Sequence, residues 1–100
     1  MSDELTPDYV EGDINQVGGA IAPLSTAVLE YLATALADEP AAVRIDVSRR
    51  HDKAVLSLSV GPDDMGRIIG RRGRTAQALR TLVAAAGSRE GVTTSVDIVD

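Results

Sequence analysis

The chain has 100 residues, of which 44% are apolar, two are aromatic and none is cysteine. This length fits one domain, and the lack of cysteine excludes a disulfide framework and a thiolate metal site. No apolar run approaches the ~18 residues of a membrane-spanning helix. The acidic start of the chain also lacks the basic region that opens a secretory signal. These features indicate a cytoplasmic protein with an aliphatic core.

The net charge of −5 is unevenly distributed along the chain. Residues 1–40 hold eight acids and no base, whereas residues 41–100 hold ten bases and seven acids. The window 67–80 contains five arginines and no acid. A local basic cluster of this kind is the electrostatic footprint of a nucleic-acid-binding surface, even in a chain that is acidic as a whole.

Residues 1–20 are predicted to form an acidic, flexible tail, because they carry five acids, no base and no clear hydrophobic period. This tail either keeps the protein soluble or competes with a nucleic acid for the arginines. The folded domain is then expected over residues 21–100. It begins with an amphipathic helix, which Pro23 opens and Pro40 follows, and whose apolar residues recur every four positions: Leu24, Val28, Leu32 and Leu36.

Two alternating segments, 43–48 and 55–60, predict strands of a hairpin around the polar turn 49–53. The bases of that turn fit a solvated tip, with a secondary RNA contact as the alternative. Pro62, Asp63 and Asp64 then favour the start of a short helix, since proline suits the first position and acids suit the positive end of the helix dipole. Its apolar face is predicted from three residues: Met65, Ile68 and Ile69.

A longer helix is expected after Gly73, with Gly87 as its C-cap and these residues pointing inward: Ala76, Leu79, Leu82, Val83 and Ala86. A third strand follows over residues 92–99. The sequence therefore predicts an α+β domain in the order α-β-β-α-α-β, with a three-stranded sheet packed against three helices.

The tight connection between the last two helices is predicted to be an anion-binding site. Gly70 and Gly73 permit backbone angles that are closed to other residues, and they leave no side chain between the backbone and a ligand. The first amides of the following helix are expected to lack partners and so to bind an anion. Arg71 and Arg72 should project into solvent, where they can reach phosphates.

The segment Ile68-Ile69-Gly70-Arg71-Arg72-Gly73-Arg74, followed by an amphipathic helix, resembles the I-G-x-x-G segment of a KH domain. The order of elements resembles the type II arrangement, and residues 22–100 as a whole are similar to the small bacterial KhpA-like family of RNA-binding proteins. The resemblance implies a non-enzymatic protein that grips the backbone of single-stranded RNA, as an RNA chaperone or post-transcriptional regulator. It also implies a homodimer, or a heterodimer with a larger Jag-like KH protein.

The RNA-binding residues implied in this way are the four residues of the loop with Arg67, Ile68, Ile69 and Arg74. Ile68 and Ile69 are candidates for the floor of a groove beside the loop, and both also fit the core. The competing function is a protein–protein adaptor that acts mainly through dimerisation. An enzyme is disfavoured because cysteine is absent and His51, the single histidine, lies in a polar turn. No catalytic residue, cofactor or metal is predicted.

Overall fold

The computed structural model, which describes residues 21–99, contains three helices and three strands in the predicted order. The predicted acidic tail over residues 1–20 lies outside the described residues. Three short 3₁₀ turns join the main elements. The helices and strands are α1 (Pro23–Leu36), β1 (Arg44–Arg50), β2 (Lys53–Ser59), α2 (Met65–Ile69), α3 (Arg74–Glu90) and β3 (Thr93–Val99).

Strand β2 lies in the middle of the sheet, between β1 and β3. It pairs antiparallel with β1, with Val47 opposite Leu56, which confirms the predicted hairpin. It pairs parallel with β3, with Leu56 opposite Val96. Parallel neighbours need a long crossover, which α2, α3 and the loop between them supply. As a result, the loop lies near the ends of β2 and β3 that carry Ser59 and Val99.

The three helices pack on the face of the sheet that carries Leu56 and Leu58. Both side chains are wholly buried, together with Leu29 of α1, Ile68 of α2 and Val83 of α3. Burial of each such aliphatic side chain contributes about 1.5–3 kcal/mol. The core is therefore aliphatic, as predicted, and it holds α2 through a single residue.

The buried face of α1 differs from the predicted row of leucines. The residues with the least exposure are Ser25, Leu29 and Ala33, whereas Leu24 and Leu36 are each 40% exposed. Because this buried row includes a serine, the hydrophobic periodicity of the sequence does not identify it as the buried face of α1. Ser25 is buried because its hydroxyl donates a hydrogen bond to the Glu90 carboxylate at the end of α3. Leu82 of α3, predicted to point inward, is likewise 49% exposed.

The predicted end of α3 at Gly87 is wrong, because the helix continues to Glu90. Its C-cap is Gly91, which has φ 74° in the left-handed region. Gly87 is instead a point of close contact with the strand that follows. A Cβ there would lie 2.7 Å from Thr94 Cγ2 and 2.8 Å from the Val92 carbonyl oxygen. The glycine is therefore required by packing between helix and strand.

Candidate nucleic-acid interface

The loop between α2 and α3 has three consecutive features that set its shape. Gly70 has φ 77° and ψ 170°, and residues Arg71–Gly73 form one 3₁₀ turn. Arg72 and Gly73 both have left-handed angles, with φ 57° and φ 72°. The chain reverses within this turn, and α3 starts directly at Arg74.

The two glycines of the loop serve different purposes. A Cβ on Gly70 would overlap the Thr75 side chain and lie 2.8 Å from the Thr75 amide nitrogen. A Cβ on Gly73 would meet no atom within 4 Å. Gly70 is therefore required by the protein's own packing, whereas the space beside Gly73 is open to solvent. A ligand can approach the backbone closely at that position.

The backbone amides of the loop differ in their hydrogen bonding. The Gly73 amide donates to the Gly70 carbonyl at 3.1 Å, and the Arg74 amide donates to the Arg71 carbonyl. Among the described residues, the Arg71 and Arg72 amides donate no backbone hydrogen bond. The 3₁₀ turn thus satisfies the Arg74 amide at the start of α3 and leaves the amides of Arg71 and Arg72 for a ligand.

The arginines of the loop provide an exposed positive surface. Arg71, Arg72 and Arg74 are all exposed. Within residues 21–99 none of them forms an ion pair. These three arginines and the two amides belong to the same short stretch of chain, residues 71–74. This arrangement can hold a phosphate by charge and by hydrogen bonds together.

Arg67 has a different environment from the other predicted arginines. Its Nη2 atom lies 3.0 Å from Asp38 Oδ2, and its Nε atom lies 3.5 Å from Asp64 Oδ1. The acid-free window 67–80 is therefore not free of acids in space, because Asp38 and Asp64 come from outside it. A phosphate contact by Arg67 stays a prediction.

Asp64 is buried rather than exposed at a helix start. It makes no capping hydrogen bond to its own helix. Its carboxylate accepts the backbone amides of Asp38 at 2.9 Å and Glu39 at 3.0 Å. These two hydrogen bonds hold the pKa of Asp64 below its ordinary value of 3.8, against burial, which raises it, and with help from the Arg67 charge. Asp64 is thus a charged link between the start of α2 and the α1–β1 connection.

The two isoleucines before the loop are separated by the structure. Ile68 is wholly buried in the core, which is the second of the two roles considered for it. Ile69 is 40% exposed on α2, immediately before Gly70. Ile69 is therefore accessible to a ligand that lies on the loop, and its role as a floor residue stays a prediction.

Arg80 marks the side of α3 that faces the sheet edge. Its Nε atom donates to the Val96 carbonyl of β3 at 3.2 Å, although the side chain is exposed. In the sequence, an arginine in an amphipathic helix by itself indicates only a solvated charge. The hydrogen bond from Arg80 to Val96 could not be predicted from the sequence, because the position of β3 beside α3 depends on the parallel pairing of β2 and β3.

Sequence reasoning found the loop itself but missed the residues that support it. Thr75 packs against Gly70 so closely that no side chain fits there. This contact could not be identified because it depends on the bend at Gly70. Asp38 and Arg67 are 29 positions apart, so no local pattern connects them. Among residues 21–99, no group of three or more metal-binding side chains is present, and no helix in this range is long and apolar enough to cross a membrane.

A three-stranded sheet with three helices on one face, and a G-x-x-G turn joining the second and third helices, defines a KH domain of the type II arrangement. Comparison with family models supports a narrower assignment, since residues 26–98 match the model described as the KH domain of KhpA/KhpB. The chain belongs to this family, as its sequence predicted.

Named relatives agree with the family assignment. The RNA-binding protein KhpA of Caldanaerobacter subterraneus is 42% identical over 72 residues, which are 72% of this chain and 96% of the relative. Those of Mycobacterium bovis and Streptomyces coelicolor are 46% and 47% identical over 72 residues, again 72% of this chain, and 86% and 87% of their own lengths. The family is non-enzymatic, which confirms the exclusion of an enzyme.

A solved structure resembles the fold at low sequence identity. The crystal structure of a single-residue variant of Aquifex aeolicus Era, bound to GDP·AlF4⁻, matches with a TM-score of 0.56 and 14% identity. The match covers 98% of this chain and 35% of that one, so the chain spans about a third of its length. This similarity concerns the fold alone.

Proposed function

We propose that this protein binds single-stranded RNA without catalysis, holding the RNA backbone at the loop of Gly70, Arg71, Arg72 and Gly73. The observation that carries the proposal is the loop's combination of exposed arginines, two amides without acceptors and an open approach at Gly73. KH loops of this type clamp the backbone of four nucleotides. The relatives named RNA-binding protein KhpA support the same ligand.

Base preference in this proposal comes from the surface beside the loop. Ile69 offers an aliphatic contact next to Gly70, and the edge of β3 lies alongside α3 at Arg80. The chain has only two aromatic residues to stack on bases. We therefore expect a backbone grip that tolerates many sequences, which suits an RNA chaperone or a post-transcriptional regulator in the cytoplasm.

The loop is tested by replacing Arg71 and Arg72 with Asp in the full chain. Binding of a single-stranded RNA should weaken at least tenfold at low salt, because both replaced charges face the phosphates. The slope of log affinity against log salt should also become shallower by about 0.7 for each lost phosphate contact. Fluorescence anisotropy over a salt series gives both values, and circular dichroism checks the fold.

A matched control replaces Arg44, Ser48 and Ala84 with Asp, which lowers the net charge by as much as the loop variant does. All three residues are exposed, and they lie outside the loop and outside the apolar groove described below. This variant should keep the native salt slope and lose only the affinity due to net charge. Equal losses in the loop variant and in this control would show that the loop is not the RNA site.

A second part of the proposal concerns self-association. The outer faces of α1 and α3 form an apolar groove of about 520 Å³. Tyr31 is 72% exposed and Leu82 is 49% exposed there. Contiguous exposed apolar surface of this kind marks interaction sites. We propose that a second copy of the chain covers this groove, with a Jag-like KH protein as the other candidate occupant. The residues that line the groove are Leu24, Ala27, Val28, Tyr31, Leu32, Leu82, Ala85, Ala86 and Arg89.

Replacing Leu82 with Asp tests this surface. A charge in the groove should convert the dimer to a monomer in sedimentation equilibrium, since a buried unpaired charge is costly. Ala84→Asp is the control, because Ala84 is exposed on α3 and does not line the groove. A native chain that is already monomeric at high concentration would favour a heterologous partner. Loss of RNA binding in monomeric Leu82→Asp would show that RNA binding requires the dimer, whereas a native dimer that does not bind RNA would favour the adaptor function.

A further inference from the structure

Helix α2 carries the loop but has little intrinsic stability. It spans only the five residues Met65–Ile69, and helices this short do not persist in water without tertiary contacts. Ile68 holds its inner side in the core. Met65 is only half-buried, so contacts on the other sides of α2 also contribute to its orientation.

Arg67 and two carboxylates supply such a contact. Arg67 lies on α2, three residues before Gly70, and its guanidinium reaches Asp38 at 3.0 Å and Asp64 at 3.5 Å. Asp64 in turn accepts the amides of Asp38 and Glu39 in the α1–β1 connection. The helix before the loop is thereby attached to a fixed part of the chain by a planar group with two separate contacts.

These contacts engage two of the three guanidinium nitrogens, Nη2 and Nε, with which Arg67 would bind a phosphate. The planar guanidinium binds carboxylates and phosphates through the same hydrogen-bond donors. Arg71, Arg72 and Arg74 have no carboxylate within ion-pair distance among residues 21–99. Arg67 therefore differs in kind from the three arginines that follow it.

We propose that Arg67 is a positioning residue, which orients the G-x-x-G loop through Asp38 and Asp64 and does not contact the RNA. The inference rests on the proposed RNA-binding function. The Arg67 and Asp38 side chains are 54% and 72% exposed, and exposed ion pairs contribute little to global stability. Breaking the pair should therefore disturb the loop more than it disturbs the fold.

The test compares Arg67→Gln with Asp38→Asn in the full chain. Both variants should bind a single-stranded RNA about threefold or more weakly, the size of effect found for residues that act through others. Both should keep the native salt slope, and Asp38→Asn, which breaks only the exposed pair, should keep nearly the native melting temperature. The amide resonances of Gly70 and Gly73 should shift in each variant. Arg67→Lys, which keeps the charge but not the planar two-point contact, should restore only part of the affinity.

Asp38→Asn separates this role from a phosphate contact. Removing a negative charge near the loop would tighten RNA binding if Arg67 were a phosphate ligand, because the arginine would be freed. Asp63→Asn is the matched control, since Asp63 is exposed, adjacent to Asp64 and without an ion pair in the described range. That control should bind RNA equally well or slightly more tightly.

Two results would overturn the proposal. Tighter binding by Asp38→Asn, with a salt slope shallower by about 0.7 for Arg67→Gln, would make Arg67 a phosphate ligand. Native affinity in both variants would leave the ion pair with no effect on the loop. Failure of the proposed function itself is recognised separately, by an unchanged affinity when Arg71 and Arg72 are replaced with Asp.

Discussion

Arg72 occupies a backbone conformation that L-residues rarely adopt. Its φ of 57° and ψ of 25° are left-handed, and such angles cost a residue with a Cβ about 1 kcal/mol or more. A glycine would meet no such cost, yet this position carries an arginine. Strained residues of this type concentrate where binding needs a fixed geometry, and here the strained residue carries an exposed guanidinium.

Replacing Arg72 with Gly should separate stability from binding. We expect the free energy of unfolding to rise by about 0.5 kcal/mol, because relief of the left-handed conformation exceeds the entropy that glycine adds to the unfolded chain. RNA affinity should fall, and the salt slope should become shallower by about 0.7. Urea denaturation and a binding titration on the same samples measure both effects.

Arg71→Gly provides the comparison for this prediction. Arg71 is next in the chain and equally exposed, but it is not among the residues with positive φ. Glycine there should lower stability and also weaken RNA binding. The explanation by backbone strain is wrong if the two glycine variants change stability in the same direction.

Residues of the loop could be predicted from the sequence because their roles are local. Two glycines three positions apart, with arginines between them, define both the turn and its charge. Asp64 was placed correctly at a helix start, but its burial was not predicted. Its partners lie 25 and 26 positions earlier, and only the folded chain brings them together.

At the scale of elements, α1 is capped by a residue from another helix. Ala22, at its N-cap position, offers no side-chain hydrogen bond. The Glu90 carboxylate accepts the amides of Leu24 at 2.8 Å and Ser25 at 2.7 Å instead. The last residue of α3 thus satisfies the first turn of α1, and the two helices are joined at that end.

The positions of the helices and strands along the chain could be predicted from hydrophobic periodicity, whereas the order and direction of the strands in the sheet could not. The hairpin of β1 and β2 was predictable because its strands are adjacent and joined by a short turn. The parallel pairing of β2 with β3 depends on how two helices cross over the sheet, and no local pattern encodes it. The buried face of α1 differs from the predicted row of leucines because Ser25, which forms a hydrogen bond with Glu90, lies on the buried side.

At the scale of the whole molecule, two carboxylates connect distant segments and make the fold sensitive to acid. Burial raises the pKa of Glu90, but the Ser25 hydroxyl and the amides of Leu24 and Ser25 lower it more, so the net shift is below the ordinary value of 4.5. The pKa of Asp64 is also lowered, mainly by the amides of Asp38 and Glu39. Both groups therefore favour the folded state when they are ionised.

The sign of the pH dependence follows from these shifts. A group whose pKa is lower in the folded protein contributes its full stability above the unfolded pKa, and this contribution is lost as the pH falls through the folded pKa. The unfolded values are near 3.8 for Asp64 and 4.5 for Glu90. The domain should accordingly keep its stability at neutral pH and lose it progressively as the pH falls below these values.

Glu90→Gln isolates one of the two contributions. At neutral pH the variant should be less stable than the native chain by about 1 kcal/mol, the usual cost of losing a helix N-cap. The difference should shrink as the pH falls, because native Glu90 becomes protonated and then resembles glutamine. Glu30→Gln serves as the control, since Glu30 is exposed on α1 and its carboxylate has no hydrogen bond among the described residues. That control should match the native chain within about 0.5 kcal/mol. Urea denaturation over a pH series measures all three proteins, and a Glu90→Gln difference that stays constant down to about pH 2 would show that ionised Glu90 does not stabilise the junction of α1 and α3.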